Sequence, residues 1–287
     1  MRRSLTALAP QLITLAALVA LVSVFFPGFV EIRLIDGRMV GPIIDILKRG
    51  APVALLAIGM TLVIATRGID LSVGTVMAIC GAVAAWSIDK GLGLGGAVAL
   101  AIAAGLVAGL WNGTLVAIIG IQPIVATLIL MTAGRGIAQL ITEGRILTFT
   151  HDGFSWFGSG TFLTVPVPAV IWVVTGITVA LLMRRTALGL LVESIGINRR
   201  ASALAGINAT VLLIAVYMAS GLCAALAGII TAADIRGADA NNAGLWLELD
   251  AILAVVIGGN SLLGGRFSVA ASLLGAMIIQ TIDTGIL

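Results

Sequence analysis

The sequence predicts an all-α, polytopic membrane fold, and three observations predict it. Sixty per cent of the 287 residues are hydrophobic and only 10% are charged. A soluble domain carries about 25% charged residues, so this chain lacks the charge to cover a water-facing surface. Apolar runs recur at about the 20 residues that a helix needs to cross the hydrocarbon core. None of them alternates polar and apolar residues as a membrane β-strand does, and backbone groups in lipid must find partners within the segment.

In chain order the runs are 7–30, 51–66, 71–88, 95–119, 121–141, 162–183, 209–233, 251–263 and 268–287. They predict about nine crossings in a single domain, 1–287. The first run follows Met-Arg-Arg. It is long for a signal peptide and no Ala-x-Ala site follows it, so it reads as an uncleaved helix with Arg2 and Arg3 inside. Counting crossings from there places 31–50, 89–94, 142–161 and 234–248 outside, and 67–70, 119–120, 184–207 and 264–267 inside. Arg184, Arg185, Arg199 and Arg200 cluster in one inner loop, as the positive-inside rule expects. The basic residues Arg33, Arg38, Lys48 and Arg49 on the outer side do not follow it. Leu287 ends in apolar sequence with no anchor behind it, so the chain reads as stopping short of a further crossing.

Two runs are broken by glycine-rich polar turns. The first break is Thr66-Arg67-Gly68-Ile69-Asp70-Leu71-Ser72-Val73-Gly74, and the second is Val256-Ile257-Gly258-Gly259-Asn260-Ser261-Leu262-Leu263-Gly264-Gly265. Irregular backbone at membrane depth persists only where protein covers it or where it lines a wet cavity. Each break has two readings. Asp70 either caps the next helix through its carboxylate or marks a discontinuous helix on a translocation path. Paired interruptions in two halves of a chain point to such a path. Gly105, Gly109 and Gly113 line one helix face, as a sliding gate or as a static close contact. Arg67 reads as an anchor at the headgroups.

The basic loop contains Glu193-Ser194-Ile195-Gly196-Ile197-Asn198-Arg199-Arg200-Ala201-Ser202-Ala203-Leu204-Ala205-Gly206-Ile207. Asn198 is a good N-cap and Gly206 a good C′ residue, predicting a short helix over 199–205. Ala201, Leu204 and Ala205 share one face of it. A helix of two turns is unstable alone in water, so this one needs a partner surface. A groove in another protein fits its small residues better than headgroups do, because an interfacial helix wants larger apolar groups.

The most polar stretch is 234–250. It contains Asn242, and its last acidic residues, Glu248 and Asp250, enter an apolar run. Ionisable groups there are functional by default, although the rest of the stretch also reads as a solvated loop. Asn112, Gln122, Thr127 and Arg135 sit inside apolar runs and should face protein, as helix–helix hydrogen bonds or as ligand contacts. Cys80 and Cys223 read as small packing residues. The only lysines are Lys48 and Lys90, and neither follows a glycine, so no Walker A loop exists. The single histidine, His151, completes no catalytic or metal spacing. No basic cluster is dense enough for nucleic acid.

Several of these segments resemble the permeases of bacterial binding-protein-dependent ABC sugar importers, in the ribose/galactofuranose-type branch. The matching pieces are 59–66 with Gly68-Ile69-Asp70-Leu71-Ser72-Val73-Gly74, Gln122-Pro123-Ile124-Val125-Ala126-Thr127-Leu128, Gly134-Arg135-Gly136, Gly196-Ile197-Asn198 with Ala205-Gly206-Ile207, and 248–252 running into 256–259. The resemblance implies a type II importer-like fold with about ten helices, nine of them present here. It implies a cytoplasmic ABC ATPase carrying ATP and Mg on its own chain, a periplasmic sugar-binding protein, a second permease copy or paralogue, and residence in the bacterial inner membrane. Segment 193–206, with Glu193, Gly196, Asn198, Ala201, Ala205 and Gly206, would rest in a groove of the ATPase. Asp70, Ser72, Asn112, Gln122, Asn242, Glu248, Asp250 and Asn260 would line the pathway of a monosaccharide. Arg67 departs from the family, which usually has glycine there, and the family continues by one crossing past Leu287. A secondary sugar transporter that needs no ATPase is the alternative, kept open by Asp70, Glu248 and Asp250.

Overall fold

The computed structural model describes residues 2–35 and 37–286. The side chains of Arg2 and Arg3, and Leu287, lie outside the described residues, so the readings placed on them are not tested. Helix α1 (Arg2–Phe25) leads into a hairpin of β1 (Arg33–Ile35) and β2 (Arg38–Val40). Helices α2 (Pro42–Arg49) and α3 (Ala51–Ala65) follow, bent by 46° at Gly50. After the first break come α4 (Val73–Asp89) and α5 (Leu94–Thr114), which ends in a π-helical turn, Leu115–Ile119. Next are α6 (Pro123–Ile141), β3 (Leu147–Thr148), α7 (Asp152–Ser159), β4 (Thr161–Phe162) and β5 (Val165–Pro166). Then come α8 (Val167–Arg185), α9 (Ala187–Ile197), α10 (Arg199–Leu204) and α11 (Ala209–Ile235). The chain closes with β6 (Gly237–Ala238), α12 (Leu247–Ile257) and α13 (Val269–Ile286).

The fold is all-α and polytopic, but the expected nine or ten crossings are not there. Among the described residues, five helices are long and apolar enough to cross a membrane: α1, α5 with its π turn, α6, α8 and α11. The bent pair α2–α3 makes a sixth if it counts as one span. The physical reason lies in the breaks. Gly-rich and polar turns take residues out of the helices on either side, leaving α4 at 17 residues and α12 at 11. At about 1.5 Å per residue, 11 residues cover only about half of a 30 Å core.

Helix α11 is the axis of the packing. It is the most buried of the long helices and lies against α3, α4 and α5. The sequence makes this possible through small residues. A methyl group on Gly109 would collide with the Tyr217 carbonyl and lie 2.7 Å from Met218 Cα, and one on Gly113 would lie 2.8 Å from Ile214 Cα. Gly105 meets Gly221 in the same way. Without a hydrophobic drive between helices in lipid, such close approach supplies the van der Waals contact that holds them. The glycine stripe of α5 is a helix contact along its whole length.

Contacts between loops define two ends of the bundle. At one, Met39 N donates to Thr164 O, Lys48 pairs with Asp234 at 2.8 Å, and β3 pairs with β6. At the other, Gly265 N donates to Ala65 O at 2.9 Å and Arg199 to Ala117 O at 3.1 Å. These are called the hairpin end and the α10 end below.

Candidate functional site: two cavities and a buried polar septum

The first break is covered by protein. Asp70 is 3% exposed and Ser72 is fully buried. One carboxylate oxygen of Asp70 accepts from Ser72 N at 3.1 Å and Ser72 Oγ at 2.6 Å, and the other accepts from Ser220 Oγ at 2.9 Å. Asn112 Nδ2 donates to Ser72 Oγ at 2.8 Å. Thr127 Oγ1 accepts from Leu71 N at 3.1 Å and donates into a shared set of carbonyls that includes Ile69 O. Side chains from α5, α6 and α11 therefore satisfy the unwound backbone and its carboxylate, as burial away from water requires. Asp70 takes one amide, that of Ser72, ahead of α4, so it ties the turn rather than capping the first helical turn.

The second break is held by its own network. Asn260 Oδ1 accepts from Ser268 N at 2.6 Å, Asn260 Nδ2 donates to Ser272 Oγ at 2.8 Å, and Thr61 Oγ1 donates to the same hydroxyl at 2.7 Å. Thr61 lies in the middle of α3, so the second break is tied to the helix that precedes the first. The two breaks also touch. Arg67 Nε donates to Leu263 O at 2.9 Å, and its Nη2 donates to Ile197 O at 2.8 Å. Arg67 is thus a bridge between three chain segments, contacts that its reading as a headgroup anchor did not include.

Two cavities open on opposite ends of α11. The one at the hairpin end holds about 620 Å³ and is lined by Arg49, Thr231, Asp239, Asn242, Asp250, Gln280 and Asp283 among others. The one at the α10 end holds about 260 Å³ and includes Arg67, Gly68, Gln122, Arg199 and Tyr217 in its wall. The Tyr217 hydroxyl is buried without a partner. A methyl group on Gly68 would lie 2.7 Å from it. Asp239 Oδ2 accepts from Asn242 Nδ2 at 2.7 Å, and this hydrogen bond, ahead of the nearby Arg135 charge, holds the Asp239 carboxyl below its usual range.

The predicted pathway residues therefore divide. Asp70, Ser72 and Asn112 meet in one network; Gln122 lines the smaller cavity; Asn242 and Asp250 line the larger. Glu248 is buried, with a carboxylate oxygen 2.7 Å from where a methyl on Gly74 would lie, at the N-terminal turn of α4. Helix N-termini favour negative charge. Asn260 belongs to the second network alone. Arg135 reaches two backbone carbonyls, Ala240 O at 2.9 Å and Ala243 O at 2.7 Å, so it braces the loop before α12. Sequence reasoning missed Ser220, Thr61, Ser272 and Tyr217. Their only signal was a hydroxyl inside an apolar run, which must find an acceptor somewhere.

The 193–206 segment ends in the short capped helix that the sequence predicts. Asn198 Oδ1 accepts from Ala201 N at 3.0 Å, and Gly206 takes a left-handed φ of 85°. The helix ends at Leu204, one residue early. Ala201 and Ala205 are exposed, Leu204 is 91% exposed, Glu193 is half-buried, and Gly196 is packed beneath. At the two breaks Ser261 is exposed and Ser72 is fully buried, which yields a labelling test. Cysteine at the exposed position Ser261 is expected to react readily with a small water-soluble thiol reagent, and cysteine at Ser72 at least tenfold more slowly. Equal rates would show that the septum is open to water.

A multi-pass bundle with a covered polar break and a cavity at each end is the frame of a membrane permease. The chain belongs to the family described as the branched-chain amino acid transport system permease component, whose model matches residues 42–287. It is a permease subunit of a bacterial ABC importer, a transport protein and not an enzyme, in the inner membrane. Among relatives, it is 60% identical over 278 residues to the galactofuranose transporter permease protein of Escherichia coli strain K12, covering 97% of this chain and 82% of the relative. It is 45% identical to the fructose import permease protein of Bifidobacterium longum, covering 86% of this chain and 70% of that one. It is 39% identical to the ribose import permease protein of E. coli K12, covering 96% and 84%. No solved structure matches the chain.

Proposed function

We propose that this subunit translocates a monosaccharide of the galactofuranose or ribose kind, driven by a separate ABC ATPase and supplied by a periplasmic sugar-binding protein. The observation that carries the reading is the identity to three sugar permeases over most of the chain. The septum supports it. Hydroxyls, amides and carboxylates pair with sugar hydroxyls as donors and acceptors, and a neutral solute needs no fixed counter-charge. The larger cavity, with Asn242 and Asp250, is read as the entry side, and the smaller cavity, with Gln122, as the exit side. Asp70, Ser72 and Asn112 form the closed partition between them. Glu248 and Asn260 hold the flanking backbone. The larger cavity is more charged than a purely polar path requires, with Arg49 among three aspartates.

The exposed face of α10 is the proposed contact with the ATPase, with Asn198, Ala201 and Ala205 presented on it and Glu193, Gly196 and Gly206 shaping its approach. A second permease, identical or paralogous, completes the membrane portion. The test is reconstitution in proteoliposomes with an ATPase and binding protein from the same genome. ATP-dependent uptake of radiolabelled galactofuranose or ribose is expected, with none of leucine; uptake of leucine alone would defeat the sugar assignment. Changing Ala205 to glutamate puts a charge in the contact and is expected to lower uptake at least tenfold with the subunit still inserted. Undiminished uptake in that variant would remove α10 from the contact.

A further inference from the structure

We propose that the smaller cavity, at the α10 end, is a binding site for a phosphate group, built on Arg67 and Arg199. The proposal goes beyond the importer reading and does not depend on which solute the subunit moves. Both arginines stand in the wall of this cavity of about 260 Å³, and no carboxylate does. Asp70 and Glu193, the acidic residues nearest to that wall in the chain, are not part of it, and Asp70 is already held by Ser72 and Ser220. Among the described residues neither arginine forms a salt bridge. Two guanidinium charges therefore border one small space with no acidic side chain to neutralise them. A guanidinium is always charged, and its planar fork of donors matches phosphate oxygens.

Each guanidinium is oriented before any ligand arrives. Arg67 Nε donates to Leu263 O at 2.9 Å and its Nη2 to Ile197 O at 2.8 Å, while Arg199 Nη2 donates to Ala117 O at 3.1 Å. Backbone carbonyls fix the groups without cancelling their charge, and most of the N–H donors on each remain. Arg67 also holds a φ of 65°, a conformation that glycine adopts without steric cost. A long charged side chain kept on such backbone points to a function for that side chain. Two further features of the wall favour an anion. Gln122 and Pro123 begin α6, whose first turn takes no side-chain cap, so its amide hydrogens and helix dipole attract negative charge. Tyr217, also in the wall, carries a buried hydroxyl without a partner. Such a group calls for an acceptor, which phosphate oxygens supply. The volume lies just under the usual range of about 300–1,000 Å³ for small-molecule sites, which suits inorganic phosphate or the head of a small phosphate ester. A soluble phosphate and the headgroup of an anionic lipid share this chemistry.

The test uses the full chain in nanodiscs of zwitterionic phosphatidylcholine, with radiolabelled inorganic phosphate as probe and the ionic strength held constant with chloride. Saturable binding is expected. Arg67→Gly, which suits the left-handed backbone, and Arg199→Gln are each expected to weaken it about tenfold or more, the loss of one charge-assisted hydrogen bond. Arg185→Gln, at an exposed arginine outside the cavity wall, is the control and should bind as the unmodified chain does. A second arm addresses the lipid source: the chain is purified from membranes containing phosphatidylglycerol, and the lipid it retains is counted by native mass spectrometry. Phosphatidylglycerol kept by the unmodified chain and lost from both cavity variants, without binding of soluble phosphate, supports the site and assigns it to a headgroup. Neither saturable phosphate binding nor retained lipid overturns the proposal. Binding that is equal in all variants overturns it too, as does an equal loss in Arg185→Gln, which general surface charge would give.

Discussion

Replacing Asp70 with alanine is expected to destabilise the subunit by about 3 kcal/mol or more and to abolish transport. The carboxylate accepts three hydrogen bonds, from Ser72 N, Ser72 Oγ and Ser220 Oγ, in a site closed to water. Each buried donor left without an acceptor costs about 1–3 kcal/mol, and alanine leaves all three. Total stabilities of about 5–15 kcal/mol make this a large fraction. Asparagine keeps one acceptor oxygen and should lose less. Thermal unfolding in detergent, followed beside uptake in proteoliposomes, checks the order: wild type, then Asp70→Asn, then Asp70→Ala. An alanine variant as stable as wild type would show that the carboxylate does not hold the partition.

The second large effect is expected from Gly109→Leu on α5. Its first side-chain carbon alone would collide with the Tyr217 carbonyl and crowd Met218 Cα. Those are backbone atoms of α11, so no rotamer change relieves them. The two helices must separate, and with them Asn112 leaves Ser72, since it lies three residues along the same helix. Overpacking commonly costs about 1–3 kcal/mol; a backbone collision on the central helix pair belongs at the top of that range or above. Reduced accumulation in the membrane and a lower unfolding temperature are expected. Gly136→Leu on α6, where nothing lies within 4 Å of the added carbon, is the control and should behave as wild type. Equal behaviour of the two variants would mean that the α5–α11 contact is loose enough to slide.

Much of this protein is written locally. The membrane class follows from composition, and most apolar runs hold a helix, with ends shifted by up to six residues, as at 251–263 against α12, because hydropathy and helix geometry act over short stretches. The two breaks are legible as glycine and polar residues interrupting apolar sequence. The α10 cap is legible too, because Asn198 and Ala201 N are only three residues apart.

Tertiary structure alone decided the rest. The number of long spans fell from about nine to five, or six with the bent pair, because a run's hydropathy does not say how many of its residues a turn removes from the helix. The partition around Asp70 needed Ser220, 150 residues away, and the second network needed Thr61 and Ser272, 211 residues apart. A lone hydroxyl in an apolar run announces that a partner exists but not which one, since hydrogen bonding in lipid is compulsory and its pairing is set by packing. Arg67 is the sharpest case. Its charge and position read as a headgroup anchor, and only the meeting of three distant backbone segments gave its guanidinium two carbonyls to hold.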